Sequence, residues 1–411
     1  MIKTKATGPI PAGYDAIGGE LAIGGQKCSA LVAENGSPLF VYSKIRLDDR
    51  MVQLRAAMPD GLDLHYAMKA NPFPPLLRHM VELADGIDIA SGGELQMALE
   101  AGAAPEHISF AGPGKRDEEL AQAIQAGVTL NIESPGECDR ALKIGERLGK
   151  KPRLAIRVNP DFDLKGSGMK MGGGAKPFGM DIELVAPAAK KILDGGADWR
   201  GFHIFAGSQA LSADAIIDTQ AQTLDLAARL ATEIGQAPAH VNLGGGFGIP
   251  YFPGDEQLDI AKVGAALGDQ LAQLPEILSA TQFAIELGRY LVGEAGVYLT
   301  RIVDRKQSQG QIFLVTDGGL HHQLAASGNF GTVVRRNYPA AIASRFSEEP
   351  AETVSIVGCL CTPLDRLSDN AAMPEARVGD IVAIFCAGAY GATASPANFL
   401  GQGPATELLV D

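Results

Sequence analysis

Between residues 62 and 287, short apolar or β-branched runs alternate with longer stretches whose apolar residues fall three and four apart. The short runs are LDLHYAM (62–68), IDIAS (87–91), HISFAGP (107–113), TLNIES (129–134), RLAIRVN (153–159), GFHIF (201–205), HVNLGG (240–245) and QFAIEL (282–287). Between them lie PPLLRHMVELA, GGELQMALEAG, RDEELAQAIQAG, PGECDRALKIGERLG and the long ADAIIDTQAQTLDLAARLATEIG. Runs of four to eight residues predict strands, and the three-and-four spacing predicts helices, several of them closed by a glycine. Strict alternation of the two means parallel strands joined by crossover helices. Eight such units predict a closed (β/α)8 barrel over residues 46–289 rather than an open sheet.

After residue 290 the pattern changes. GVYLTRIVDRKQ, GQIFLVTDGG, ETVSIVGCL and DIVAIFCAG read as strands without comparable helices between them, and GELAIGG to PLFVYS near the start has the same style. We therefore expect one all-β domain, barrel-like, made from both chain ends, residues 1–45 and 290–411, with the (β/α)8 barrel inserted between them.

Composition narrows the class. With 411 residues, 46% hydrophobic and 20% charged, the chain can bury a large core and is not a disordered one. A net charge of −13 argues against a nucleic-acid partner, whose phosphates demand a basic surface. Five scattered cysteines make no disulfide framework, and no apolar run approaches a membrane-spanning length. The expected protein is soluble, reduced and cytoplasmic. Cys359 and Cys361 lack a second pair or a histidine cluster at ligand spacing, so no metal is expected.

In a barrel of this kind the reactive residues gather at the C-terminal ends of the strands. Lys69, Ser91, Gly112, Glu133, Asn159, His203, the Gly244–Gly246 run and Glu286 all follow or close their strands. A lysine amine with a lowered pKa can form a Schiff base, although a lysine tipped into solvent explains the position of Lys69 equally well. Gly244, Gly245 and Gly246 would let backbone N–H groups approach an anion, and barrel phosphate sites favour the loops after strands seven and eight. In ELGR (286–289), Arg289 could reach a phosphate while Glu286 faces a cationic ring nitrogen; a local ion pair is the commoner fate of such neighbours. Ser208 could add a hydroxyl to the same site. His203 is by itself an ordinary hydrogen-bonded histidine, Tyr390 in CAGAYG could bind phosphate or pack a turn, and Cys359 and Cys361 could be small core residues. Together these are the parts needed to hold pyridoxal phosphate.

The set also carries a resemblance. YAMKAN, DIASGGEL, RVNP, HIFAGSQ, GGGFG, ELGR, CTPLD and GAYG stand in the order found in the fold-type III pyridoxal-phosphate decarboxylases, which include the diaminopimelate, ornithine and biosynthetic arginine decarboxylases. That resemblance implies Lys69 as the lysine that carries the cofactor, Glu286 at the pyridine nitrogen and His203 stacked on the ring. It implies phosphate contacts from Ser208, Gly244, Gly245, Gly246, Gly288, Arg289 and Tyr390, with Asp88, Glu94 and Arg157 lining the pocket. Cys361 resembles the proton donor that a second subunit supplies, which implies a homodimer with shared active sites.

The substrate end departs from the pattern. Diaminopimelate enzymes usually carry Cys-Glu-Ser-x-Asp where this chain has Cys361-Thr362-Pro363-Leu364-Asp365, and ornithine enzymes usually place an aspartate directly after the cysteine. Thr362 and Asp365 are candidate substrate residues, as are Arg335 and Arg336 in VRRNYP (334–339). The CTPLD form resembles the branch associated with exosortase and exopolysaccharide clusters or with carrier-protein-bound aminoacyl substrates. A racemase on the related architecture would usually place an arginine opposite the ring nitrogen, which Glu286 opposes. A binding-only regulator of this fold would have lost the cofactor residues kept here.

Overall fold

The computed structural model describes residues 3–328 and 336–411. Two compact units emerge: Met51–Gly248 with Leu258–Gly288, and Met1–Arg50 with Ile249–Gln257 and Arg289–Asp411. The division differs from the expected one in detail. It falls a few residues later at the first boundary, and the segment Ile249–Gln257 goes with the second unit.

In the first unit the eight strands are β1 (Asp63–Ala67), β2 (Gly86–Ile89), β3 (Ile108–Phe110), β4 (Thr129–Ile132), β5 (Arg153–Asn159), β6 (Asp198–Ile204), β7 (His240–Gly245) and β8 (Gln282–Leu287). All pair in parallel with their neighbours; β8 pairs with β1, and β4 with β5, so the sheet closes into the (β/α)8 barrel. A two-residue strand, Met180–Asp181, adds beside the end of β5. The strands are buried on both faces, as parallel strands under crossover helices must be.

Local sequence sets the helix ends. Ser91, Ser134 and Ser212 each cap a helix by accepting a backbone N–H three residues on, from Glu94, Glu137 and Ala215. Gly127 and Gly235 close two helices in the left-handed conformation that a side chain would resist. The serine caps sit where strands lead into helices, and the glycine caps where helices lead into the next strand.

The second unit is an eight-stranded mixed sheet with a separate three-stranded meander near the N-terminus. Its long strand Gly296–Ser308 runs antiparallel to Leu39–Ser43, Gln311–Thr316 and Ile381–Ile384, and Leu39–Ser43 pairs in parallel with Thr406–Val410. Leu21, Leu31 and Val41 from the start of the chain share a core with Val297, Leu299, Ala383, Phe385 and Val410. Both chain ends therefore build one all-β domain. Among the described residues, no helix is long and apolar enough to cross a membrane.

Candidate active site

β1 ends in a 3-10 turn, Met68–Ala70, that carries Lys69. Its side chain is exposed, and the amine lies 5.8 Å from the centre of the Phe205 ring in the loop after β6. Across the barrel, cross-strand register sets Arg157, His203 and Asn242 side by side on β5, β6 and β7, and Glu286 beside His65 on β8 and β1. Parallel partners point the same way, and the contact of His203 with Glu286 across β7 places this face inside the barrel.

Glu286 is the hub. Its Oε2 accepts from His203 Nε2 at 2.8 Å and from Asn242 Nδ2 at 3.2 Å; neither uses Oε1. Burial works against a charge here, but His203 and the nearby Lys69 and Arg157 cations outweigh it and hold the carboxyl well below its ordinary range. Asn242 has a second task, accepting the Gly244 N–H at 2.8 Å through Oδ1. It thus ties the carboxylate to the glycine turn. Nothing in the sequence marked Asn242, because its role arises only when β7 lies beside β8.

The three glycines are required by packing. A Cβ on Gly245 would come within 2.0 Å of Glu286 O, and Gly244 and Gly246 have φ of +70° and +79° with carbonyls 2.6 and 2.3 Å from where a Cβ would sit. Since the Gly244 N–H is taken by Asn242, Gly244 shapes the turn. The expectation of anion-binding N–H groups falls on Gly245 and Gly246. Gly246 O accepts from Ala210 N at 2.9 Å, lacing the turn to the loop that carries Ser208. Gly288 packs against Ala67 and Ala70, where a Cβ would meet Ala67 O at 3.0 Å.

Arg157 is set by Glu133, which the sequence marked only by position. The Glu133 carboxylate accepts from Arg157 at 3.0 Å and from the Gly179 N–H at 2.9 Å, and also takes the Gly112 N–H. Burial opposes its charge, yet Arg157 and Lys115 hold its pKa down. Asp88 lies 3.4 Å from His65 Nδ1. Glu94 caps its own helix start by accepting the Ala90 N–H at 2.6 Å.

In the second unit, Arg289 donates to Tyr251 Oη at 2.9 Å and lies 4.7 Å from the centre of the Tyr390 ring. Tyr390 adopts φ of +55°, so its backbone is held in a conformation tyrosine resists. Tyr251 was missed by sequence reading; it lies just past the glycine run in GFGIPY.

Cys359 and Cys361 are both exposed, so neither is a core residue. They sit on a turn between strands Glu352–Val357 and Arg366–Met373. Asp365 is buried, and its two oxygens accept the Leu320 and Leu360 N–H groups at 2.7 and 2.8 Å. Its carboxylate holds the turn that bears Cys361. Thr362 is half-buried in that turn. The Arg336 guanidinium is 3.7 Å from the centre of the Phe252 ring, and Arg335 lies outside the described residues.

In the first unit, the buried His203 Nδ1 has no hydrogen-bond partner among the described residues. Buried polar atoms are rarely left so unless something else meets them. With an anionic Glu286, an accessible Lys69 and a glycine turn without side chains, the donor set fits pyridoxal phosphate.

Comparison with known proteins agrees. Residues 45–293 match the family described as pyridoxal-dependent decarboxylase, pyridoxal binding domain. The L-glutamyl-(BtrI acyl-carrier protein) decarboxylase of Niallia circulans is 35% identical over 93% of this chain and 90% of its own. The diaminopimelate decarboxylase of Aquifex aeolicus is 34% identical over 96% of this chain and 91% of its own. The crystal structure of the M. jannaschii diaminopimelate decarboxylase with L-lysine superposes with a TM-score of 0.87 at 25% identity, covering 96% of this chain and 92% of that one. This chain belongs to the pyridoxal-phosphate-dependent decarboxylases.

Proposed function

We propose that this decarboxylase acts on an aminoacyl group presented by an acyl carrier protein, within a homodimer that shares its active sites in the cytoplasm. The observation that carries the substrate reading is the inward turn of Asp365. It is the one carboxylate in Cys361-Thr362-Pro363-Leu364-Asp365, and both its oxygens are engaged by backbone N–H groups. A free diamino acid brings a distal ammonium whose desolvation needs a partner charge. An aminoacyl group joined to a carrier through a neutral acyl link needs none. The similarity to the Niallia enzyme, whose name specifies a carrier-bound glutamyl substrate, supports the same reading.

Lys69, Arg157, His203, Ser208, Gly245, Gly246, Glu286, Arg289 and Tyr390 would hold the cofactor. Pyridoxal phosphate, when bound, supplies the electron sink that accepts the pair released as the Cα–carboxylate bond breaks. Glu286, anionic and fixed by two donors, would keep a proton on the ring nitrogen without reorganising during the reaction. His203, pinned through Nε2, is oriented by Glu286. Lys69 offers an accessible amine to a carbonyl. Cys361, exposed on a braced turn, would deliver the proton that Cα needs after carbon dioxide leaves. The resemblance implies that this cysteine serves a second subunit's site, and that is the reason for proposing the dimer.

The test is Thr362→Glu, which supplies the missing carboxylate. We expect the preference, measured as the ratio of kcat/KM values, to move at least tenfold toward free diaminopimelate and away from the tethered aminoacyl group. An unchanged ratio in a folded, cofactor-loaded variant would count against the reading.

A further inference from the structure

At the end of the barrel opposite the mouth, three side chains have no part in this chemistry. Asp63 opens β1, His240 opens β7, and His65 lies one inward position further along β1. One potential ligand atom from each lies within 4.8 Å of the others. His240 Nε2 is 3.9 Å from Asp63 Oδ2, and the two imidazoles are 5.6 Å apart between ring centres. We propose that Asp63, His65 and His240 form a binding site for a divalent transition cation of the zinc type, made of side chains other than those that would hold the cofactor.

The donor chemistry suits such an ion. Two imidazoles and a carboxylate are a common three-ligand set for zinc, leaving further positions for water. His65 also has the support such ligands usually have. Its Nδ1 lies 3.4 Å from Asp88, which fixes the ring and leaves Nε2 as the coordinating nitrogen. Space is made for that ring by Gly86 on the neighbouring strand, where a Cβ would come within 2.6 Å of His65 Nε2.

Entry and charge are also answered. The Asp63 and His240 side chains are 33% and 24% exposed while that of His65 is 9% exposed, so the cluster opens to solvent on one side. Arg153 and Arg200 are nearby cations, and Asp198 lies 3.6 and 3.7 Å from them. β7 and β1 flank β8, so an ion here would clip two strands together across the one between them.

The test uses the cofactor-loaded enzyme, stripped with a chelator and dialysed against zinc, with bound metal measured per chain. We expect one zinc, and a zinc-dependent rise in the thermal midpoint. Asp63→Asn and His240→Ala should each weaken zinc binding at least tenfold and abolish the rise. The double variant Cys359→Ser, Cys361→Ser should keep both. Asp63→Asn nearly preserves shape, so it covers the case in which His240→Ala fails to fold. Zinc retained in the Asp63 and His240 variants, zinc lost only with the cysteines, or no zinc at micromolar concentration would each overturn the proposal.

Discussion

Asn242 gives the sharpest test of how the site is held. Replacing it with alanine removes the Nδ2 bond to Glu286 and leaves the Gly244 N–H without its acceptor. A buried hydrogen bond to a charged group is worth about 1.5–3 kcal/mol. At 1.36 kcal/mol per pKa unit, its loss should raise the Glu286 carboxyl by about 1–2 units. The direction follows from the bond: Asn242 stabilises the carboxylate, so without it the proton is held more tightly. The acid limb of the kcat/KM profile should therefore move up by about 1–2 pH units, and the plateau should fall about tenfold or more. Separately, the stranded Gly244 N–H should cost about 1–3 kcal/mol of stability, read by denaturant unfolding. Steady-state carbon dioxide release across pH measures the first effect. An unmoved acid limb with kcat/KM within twofold of wild type would refute the bridging role.

Other residues make separable predictions. Asp365→Ala, which releases two backbone N–H groups, should lower kcat by at least tenfold with the cofactor's visible absorbance intact; a loss of absorbance instead would mean Asp365 serves the cofactor. Cys361→Ala should retain cofactor and lose about 10²–10⁴-fold in turnover, the usual worth of a positioned proton donor. If that variant binds no cofactor, the assignment of Cys361 is wrong. Glu119 is opposed by burial, but the Arg116 and Gly92 N–H groups and the Arg116 guanidinium hold its pKa to about 2. The unfolded value is about 4.3, so its stabilising effect is full above that pH and fades as pH falls toward about 2. Glu119→Gln should accordingly unfold more readily at neutral pH, with the difference from wild type vanishing near pH 2; a constant difference across that range would rule the linkage out.

The barrel was legible because parallel strands under helices write themselves as apolar runs at even intervals, and all eight runs became strands. The strand-end rule then pointed to Lys69, His203 and Glu286 without any contact being known. Pairings between distant strands were not legible. Asn242 sits mid-strand in HVNLGG, and only its place beside Glu286 gives it a role. Glu133 was visible as a strand end, but its hold on Arg157 depends on β4 lying next to β5. The direction of a side chain was equally hidden: Asp365 belongs to the CTPLD motif in sequence, yet turns inward to Leu320 and Leu360. The segment Ile249–Gln257 follows the seventh strand as a barrel loop would, yet it belongs to the second unit, where its Tyr251 accepts from Arg289. The Asp63–His65–His240 cluster escaped because its histidines lie on strands far apart in the chain, with no ligand spacing to read.

The central claim is tested most directly by carbon dioxide release from the cofactor-loaded protein, with Lys69→Ala as the blank. The substrates would be meso-diaminopimelate, ornithine, arginine, lysine and a carrier-protein-bound aminoacyl group. The account predicts turnover of the tethered group, near silence on the free amino acids, and none from the Lys69 variant. Rapid turnover of free diaminopimelate would contradict it, showing that another group reads the distal ammonium despite the inward turn of Asp365.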